Sequence, residues 1–298
     1  MGWRILSKYA ANPHTPRYSV FIFEIRTNPS IHTTEETRRA PSLIARSPTF
    51  TKTQLMNPLF QKICAHLLTT RTWFWWGDKQ KESISKPYVH SCTAIEIGPG
   101  GKAQPLHRDS YINHTILTEI SEWDDERDKN RESAIGMMVA GCKVTKENGG
   151  TQFIPGSHLW YASFQLGHFL GLSIGLTTSV FRGTNRKTPP SVEECVVPEL
   201  DKGDALILLS SVYHGGGNNT TKDQYRLSFS TFVTRGYLRQ EENQYLAVPR
   251  DVVKQYDTDT QEFIGYYISD PACGWVEEMD PLYVLYPERL KDVKPKDF

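Results

Sequence analysis

The chain has 298 residues, and 34 Lys+Arg balance 34 Asp+Glu. A formal charge of zero gives no reason to expect a nucleic acid or an acidic membrane as partner, and the length suits one domain, 1–298, built on an all-β core. Five cysteines, odd in number and without C-x-x-C spacing, read as reduced thiols of a cytoplasmic protein, not as a disulfide framework or zinc site.

In chain order, the clearest helix runs from Thr51 to Leu68, with Leu55, Met56, Leu59, Phe60, Ile63, Leu67 and Leu68 at helical spacing. The aromatic run Trp73-Phe74-Trp75-Trp76, with Tyr88 and Trp275, is read in two ways: as core, or as the lining of a pocket for a bulky apolar substrate. Strands are expected at Tyr88–Ile97, Ala134–Val144, Thr151–Ile154, Ala205–Leu209 and Arg226–Val233, and short helices after Pro249 and Asp257. There is no internal repeat and no low-complexity tract. The fold class is mainly β: a double-stranded β-helix (jelly-roll, cupin-like) core with flanking helices.

His107-Arg108-Asp109 and His214 carry the chemistry. In an extended chain residues i and i+2 point the same way, so H-x-D at a strand end aims both side chains at one point. His214 ends the apolar run Ala205-Leu206-Ile207-Leu208-Leu209 and supplies a distant third donor. Two imidazoles and one carboxylate leave three metal positions open, the pattern of non-haem Fe(II) oxygenases. Chance offers the alternative, since nine histidines place one near an Asp often enough. His-Arg-Asp also opens the protein-kinase catalytic loop. That reading fails, because Asn113 falls one position early and no Gly-rich loop, V-A-I-K or D-F-G is present.

Three companions favour the metal. Arg226 lies on the strand face opposite Tyr225, where a guanidinium needs a carboxylate, either one of the protein's own or a ligand's. The stretch Asn148-Gly149-Gly150-Thr151-Gln152-Phe153-Ile154-Pro155-Gly156-Ser157-His158 reads as turn, short strand, turn. Gln104 precedes the first donor by three residues.

These motifs, with Arg46-Ser47-Pro48-Thr49-Phe50, Tyr213-His214-Gly215-Gly216-Gly217-Asn218-Asn219 and Thr234 to Asn243, resemble the phytanoyl-CoA dioxygenase-like family of Fe(II)/2-oxoglutarate oxygenases. Within it the likeness is to the fungal branch that tailors meroterpenoids and indole alkaloids. The resemblance spans about Arg46 to Tyr286. It implies iron held by His107, Asp109 and His214, with 2-oxoglutarate and O₂ as co-substrates. It implies an Arg226 salt bridge to the distal carboxylate of 2-oxoglutarate, and hydrogen bonds to the same molecule from Gln104 and Thr151. A polycyclic small-molecule substrate and a homodimer are expected on the same ground, the outcome being hydroxylation, desaturation, rearrangement or endoperoxidation.

Two stretches depart from that family. Residues 161–182 interrupt a region where relatives run almost directly from Ser-His-Leu-Trp into Gly-Thr-Asn-Arg. The stretch is too short, too Gly-rich and too polar, with Gln165 and His168, for a membrane span. A retained intron and a surface-loop insertion are equal readings. Residues 1–45 lack the amphipathic helix of relatives. No acidic residue occurs before Glu24, while Arg4, Lys8 and Arg17 do, which is a transit-peptide pattern; a misassigned start or exon is the preferred explanation. The rival readings are a catalytically inactive jelly-roll module or mis-spliced product, and a cupin-type metal protein that needs no 2-oxoglutarate.

Overall fold

The computed structural model describes residues 36–160 and 189–292. The expectations for residues 1–35 and for the 161–182 stretch lie outside the described residues. Nine strands are described: β1 (Thr37–Pro41), β2 (Thr70–Trp76), β3 (Lys79–Ser85), β4 (Tyr88–Ile97), β5 (Ala134–Ala140), β6 (Thr151–Phe153), β7 (Ala205–Leu209), β8 (His214–Gly216) and β9 (Arg226–Thr234). Five form one antiparallel sheet in the order β1-β4-β9-β5-β7, β6 pairs with β8, and β2 pairs with β3.

The large sheet is two-sided, and its period-2 alternation sorts the residues. On β4, Val89, Cys92 and Ala94 face the hydrophobic core, as do Leu227, Phe229 and Val233 on β9. The opposite face presents Thr93, Ile95 and Ile97 from β4, and Arg226, Ser228, Ser230 and Phe232 from β9, to a cavity of about 270 Å³. Thr151 of β6 with His214 and Gly216 of β8 close that cavity from the other side. Two antiparallel sheets enclosing a site in this way are the double-stranded β-helix arrangement, so the fold is the mainly β jelly roll that the sequence suggested.

The helix expected over Thr51–Leu68 is two elements. A π-turn covers Thr51–Leu55, and a new α-helix runs Pro58–Leu68. Asn57 breaks the run by capping: its side-chain oxygen accepts from the N–H groups of Leu59 and Phe60, and Pro58 occupies the first helical position, where no N–H is needed. Phe60, Cys64 and Leu68, four residues apart, then form the stripe that packs under the sheet. Each such fully buried apolar side chain contributes about 1.5–3 kcal/mol. The strand expected to reach Val144 stops at Ala140, with Val144 making only an isolated bridge to Leu200.

The tryptophan run is neither core nor pocket. Trp73, Trp75 and Trp76 sit on the β2–β3 hairpin at 62%, 68% and 50% exposure, Trp275 is also exposed, and Tyr88 is buried. None of them lines the cavity that holds the triad. The pocket reading is corrected: a two-residue turn, Gly77-Asp78, folds the tryptophans into a hairpin that pairs with itself.

Candidate metal and co-substrate site

His107, Asp109 and His214 converge. Each offers one ligand atom, and the three atoms lie within 4.8 Å of one another. His107 Nε2 is 3.6 Å from Asp109 Oδ1, and His214 Nε2 is 3.6 Å from Asp109 Oδ2. The backbone brings them together through a bridge in which His107 N–H donates to His214 O and His214 N–H to His107 O, both at 2.9 Å.

The tautomers are set from behind. His107 Nδ1 lies 2.8 Å from Pro105 O, and His214 Nδ1 lies 3.0 Å from Val212 O. A carbonyl can only accept, so each Nδ1 carries the proton and each Nε2 presents a lone pair to the third donor. Burial lowers the pKa of His214, against the opposing pull of Asp109, which favours the neutral form that a metal needs. This donor set fits a ferrous ion: two imidazole nitrogens and one carboxylate on one side, open cavity on the other.

Glycines explain the tightness of β8. A Cβ at Gly215 would stand 3.0 Å from Gln104 O, and one at Gly217 would stand 2.8 Å from Gly150 O. Only glycine lets the strand carrying His214 slide between those two backbones.

Arg226 is buried at 4% exposure beside Tyr225 at 53%, as the alternation requires. Its Nη2 donates to Gly149 O at 2.7 Å and its Nη1 to Ser228 Oγ at 3.0 Å, while Nε is buried without a partner. Among the described residues no carboxylate forms an ion pair with it. Burial pushes its pKa down to about 10, so it remains cationic at neutral pH. A buried, half-satisfied guanidinium lining the same cavity as the triad has donor capacity that a ligand carboxylate could use. Gln104 and Thr151 also line the cavity. Gln104 is held by Gly216 in both directions: Gln104 N–H donates to Gly216 O, and Gly216 N–H donates to Gln104 Oε1, each at 2.9 Å.

The sequence reading passed over several residues here. Arg108 sits between two donors and is buried, Arg39 of β1 lines the cavity as a further cation, and Glu132 is wholly buried under the turn before His214. Glu132 accepts from Ser210 Oγ at 3.1 Å, from Ser211 N–H at 3.2 Å and from Ser211 Oγ. Desolvation raises its pKa. A charged residue in an unremarkable sequence context gives no sign of such burial; only the register places it.

The model of the phytanoyl-CoA dioxygenase (PhyH) family matches residues 23–228. Dioxygenase himG of Aspergillus japonicus is 32% identical over 255 residues, 83% of this chain and 71% of its own. Dioxygenase peniF of Penicillium patulum is 31% identical over 260 residues, 87% of this chain and 76% of its own. A solved structure, the non-heme alpha ketoglutarate dependent epimerase SnoN from nogalamycin biosynthesis, aligns with 70% of this chain and 68% of its own at 17% identity and a TM-score of 0.44. With the family model and both fungal dioxygenases aligned across the residues that build the triad, this chain belongs to the phytanoyl-CoA dioxygenase family and is a 2-oxoglutarate-dependent non-haem iron dioxygenase.

Proposed function

We propose that His107, Asp109 and His214 hold the ferrous ion and that Arg226, Gln104 and Thr151 hold 2-oxoglutarate, for oxidation of a compact polycyclic metabolite of fungal secondary metabolism. The observation that carries this reading is the pairing of two Nε2 lone pairs aimed at one carboxylate with a buried cation, Arg226, in the same cavity. A metal protein that isomerises or hydrolyses with the same donors has no use for that cation.

The residues divide the work. Bound iron supplies oxidative activation of O₂ at the expense of 2-oxoglutarate. Pro105 O and Val212 O fix the tautomer and the orientation of the two imidazoles. Arg226 anchors the far carboxylate, and its desolvated setting makes a charge-assisted pair stronger than it would be in water. The apolar cavity residues Ile95, Ile97, Met138 and Phe232 pack the substrate and exclude water. Which bond is oxidised then follows from how the substrate lies against the triad.

The direct test is anaerobic addition of 2-oxoglutarate to the Fe(II)-loaded protein. A visible charge-transfer band, and its absence in His107→Ala and His214→Ala, is the expected result. Full metal stoichiometry in both alanine variants overturns the ligand assignment. Succinate release above background under O₂ identifies the reaction class, and failure to bind 2-oxoglutarate at all refutes the co-substrate site.

A further inference from the structure

β4 contains an irregularity that the triad does not require. Its pairing with β9 runs Val89↔Val233 and then Ser91↔Phe232, so His90 is an extra residue in a bulge. Bulges re-aim side chains. Here the effect is visible in the alternation: Val89 packs in the core, and then His90 and Ser91, two consecutive residues, both line the cavity.

The segment after β9 clamps this bulge. Glu242 N–H donates to His90 O at 3.0 Å, Glu241 N–H donates to His90 Nδ1 at 3.0 Å, and Ser91 Oγ donates to Glu241 Oε2 at 2.7 Å. Since Nδ1 accepts, the ring proton is on Nε2. His90 is 2% exposed, and its Nε2 is buried with no partner in the protein. Leaving a buried donor unmet is costly unless a ligand meets it.

The geometry points to His90 Nε2–H as a substrate-binding donor for a neutral oxygen acceptor, a carbonyl or hydroxyl, carried by the organic substrate at the end remote from Arg226. This rests on the proposed dioxygenase site and names its substrate class more closely. Arg226 is paired with Ile97 at the other end of β4, and at about 3.3 Å per residue the strand sets the two donors roughly 20 Å apart. One end of the cavity therefore takes an anion and the other a neutral oxygen. The Glu241 carboxylate, lining the cavity beside His90, works against an anionic group there. Burial, which pushes the His90 pKa down to about 4, keeps the ring a neutral donor.

The test uses the full chain, ¹⁵N-labelled at histidine and loaded with Zn(II) and 2-oxoglutarate, with cyclohexanone and cyclohexanecarboxylate as probes. The expected result is an Nε2–H tautomer at His90 whose proton moves downfield, saturably, with the ketone, and at least tenfold weaker binding of the carboxylate. His90→Phe is expected to bind the ketone at least five-fold more weakly without a lower Tm, and His90→Gln, which keeps a donor, to recover most of the affinity. An Nδ1–H tautomer, no saturable shift with the ketone, preference for the carboxylate, or equal affinity in His90→Phe each overturns the assignment. Calorimetric binding of 2-oxoglutarate, measured separately, keeps the two readings apart. Protein that binds 2-oxoglutarate but shows a silent His90 refutes the donor alone; a ketone shift without 2-oxoglutarate binding supports the donor and refutes the co-substrate site.

Discussion

The Arg108 guanidinium lies over the Tyr213 ring, 4.2 Å from its centroid, and so ties together the two residues that adjoin the proposed metal donors. Arg108 separates His107 from Asp109, and Tyr213 precedes His214. Both also lean on Ser157: Arg108 Nη2 donates to Ser157 O at 2.6 Å, and Tyr213 N–H donates to Ser157 Oγ at 2.8 Å. The turn that ends the NGGTQFIPGSH stretch thus buttresses both halves of the triad. Burial pushes the Arg108 pKa down to about 10, so the cation survives at neutral pH and the stack with it.

Arg108→Lys is therefore not conservative, because an ammonium cannot both stack on Tyr213 and reach Ser157 in the same way. We expect a loss of about 1–3 kcal/mol in unfolding free energy and iron affinity lower by roughly 10–100-fold, as for other residues that orient metal ligands. Denaturant unfolding and competition with a chelator measure the two. Unchanged iron affinity would show that the stack supports the fold alone.

Arg226→Ala separates the two halves of the site. Removing one partner of a buried charge-assisted pair costs roughly 2–5 kcal/mol, so 2-oxoglutarate binding should weaken by about thirty-fold to several thousand-fold. Iron stoichiometry should stay near one, since Arg226 donates to Gly149 and Ser228 and not to the triad. Equal loss of both ligands would sink the assignment.

The sequence made the triad and Arg226 legible because each falls where a simple period fixes its direction: i and i+2 in His107 and Asp109, and the alternation that sets Arg226 opposite Tyr225. The β2–β3 hairpin was also written there, in Gly77-Asp78 between an aromatic run and a polar one, but the density of tryptophan outweighed the turn signal. His90 was not legible. Period 2 places it with the core side chains, and only an extra residue in the register, produced by the distant Glu241–Glu242 segment, turns it to the cavity. Glu132 was hidden for the same reason: the serines that satisfy it are nearly eighty residues away.

Gly216→Ala tests how closely the proposed co-substrate residues are packed. A Cβ there would meet Gln104 Oε1 at 3.2 Å and Arg226 Nη2 at 3.6 Å. The first contact is tight and the second ordinary, so Gln104 should shift by a few tenths of an ångström while Arg226 stays. Overpacking of this size costs about 1 kcal/mol, or about five-fold in the KM for 2-oxoglutarate, with iron binding untouched. A KM unchanged within error would mean that Gln104 does not touch the co-substrate.

Acid should destabilise the protein through His90 in a defined window. Burial lowers its folded pKa from 6.5 to about 4. Above pH 6.5 the ring is neutral in both the folded and unfolded chain and has no effect on stability. As pH falls from 6.5 towards 4, the unfolded chain takes up a proton that the folded chain refuses, and unfolding becomes easier by up to about 3 kcal/mol. Below about 4 both forms are protonated and the penalty stops growing. Glu241 and Glu242, packed on the same bulge, are present in both proteins, so the reading is the difference between wild type and His90→Gln. Urea unfolding at half-unit intervals from pH 7.5 to 4 should give wild-type stability that falls more steeply than that of His90→Gln, the gap opening below pH 6.5. Parallel curves would mean that His90 titrates normally in the folded protein, and hence that its ring is wet.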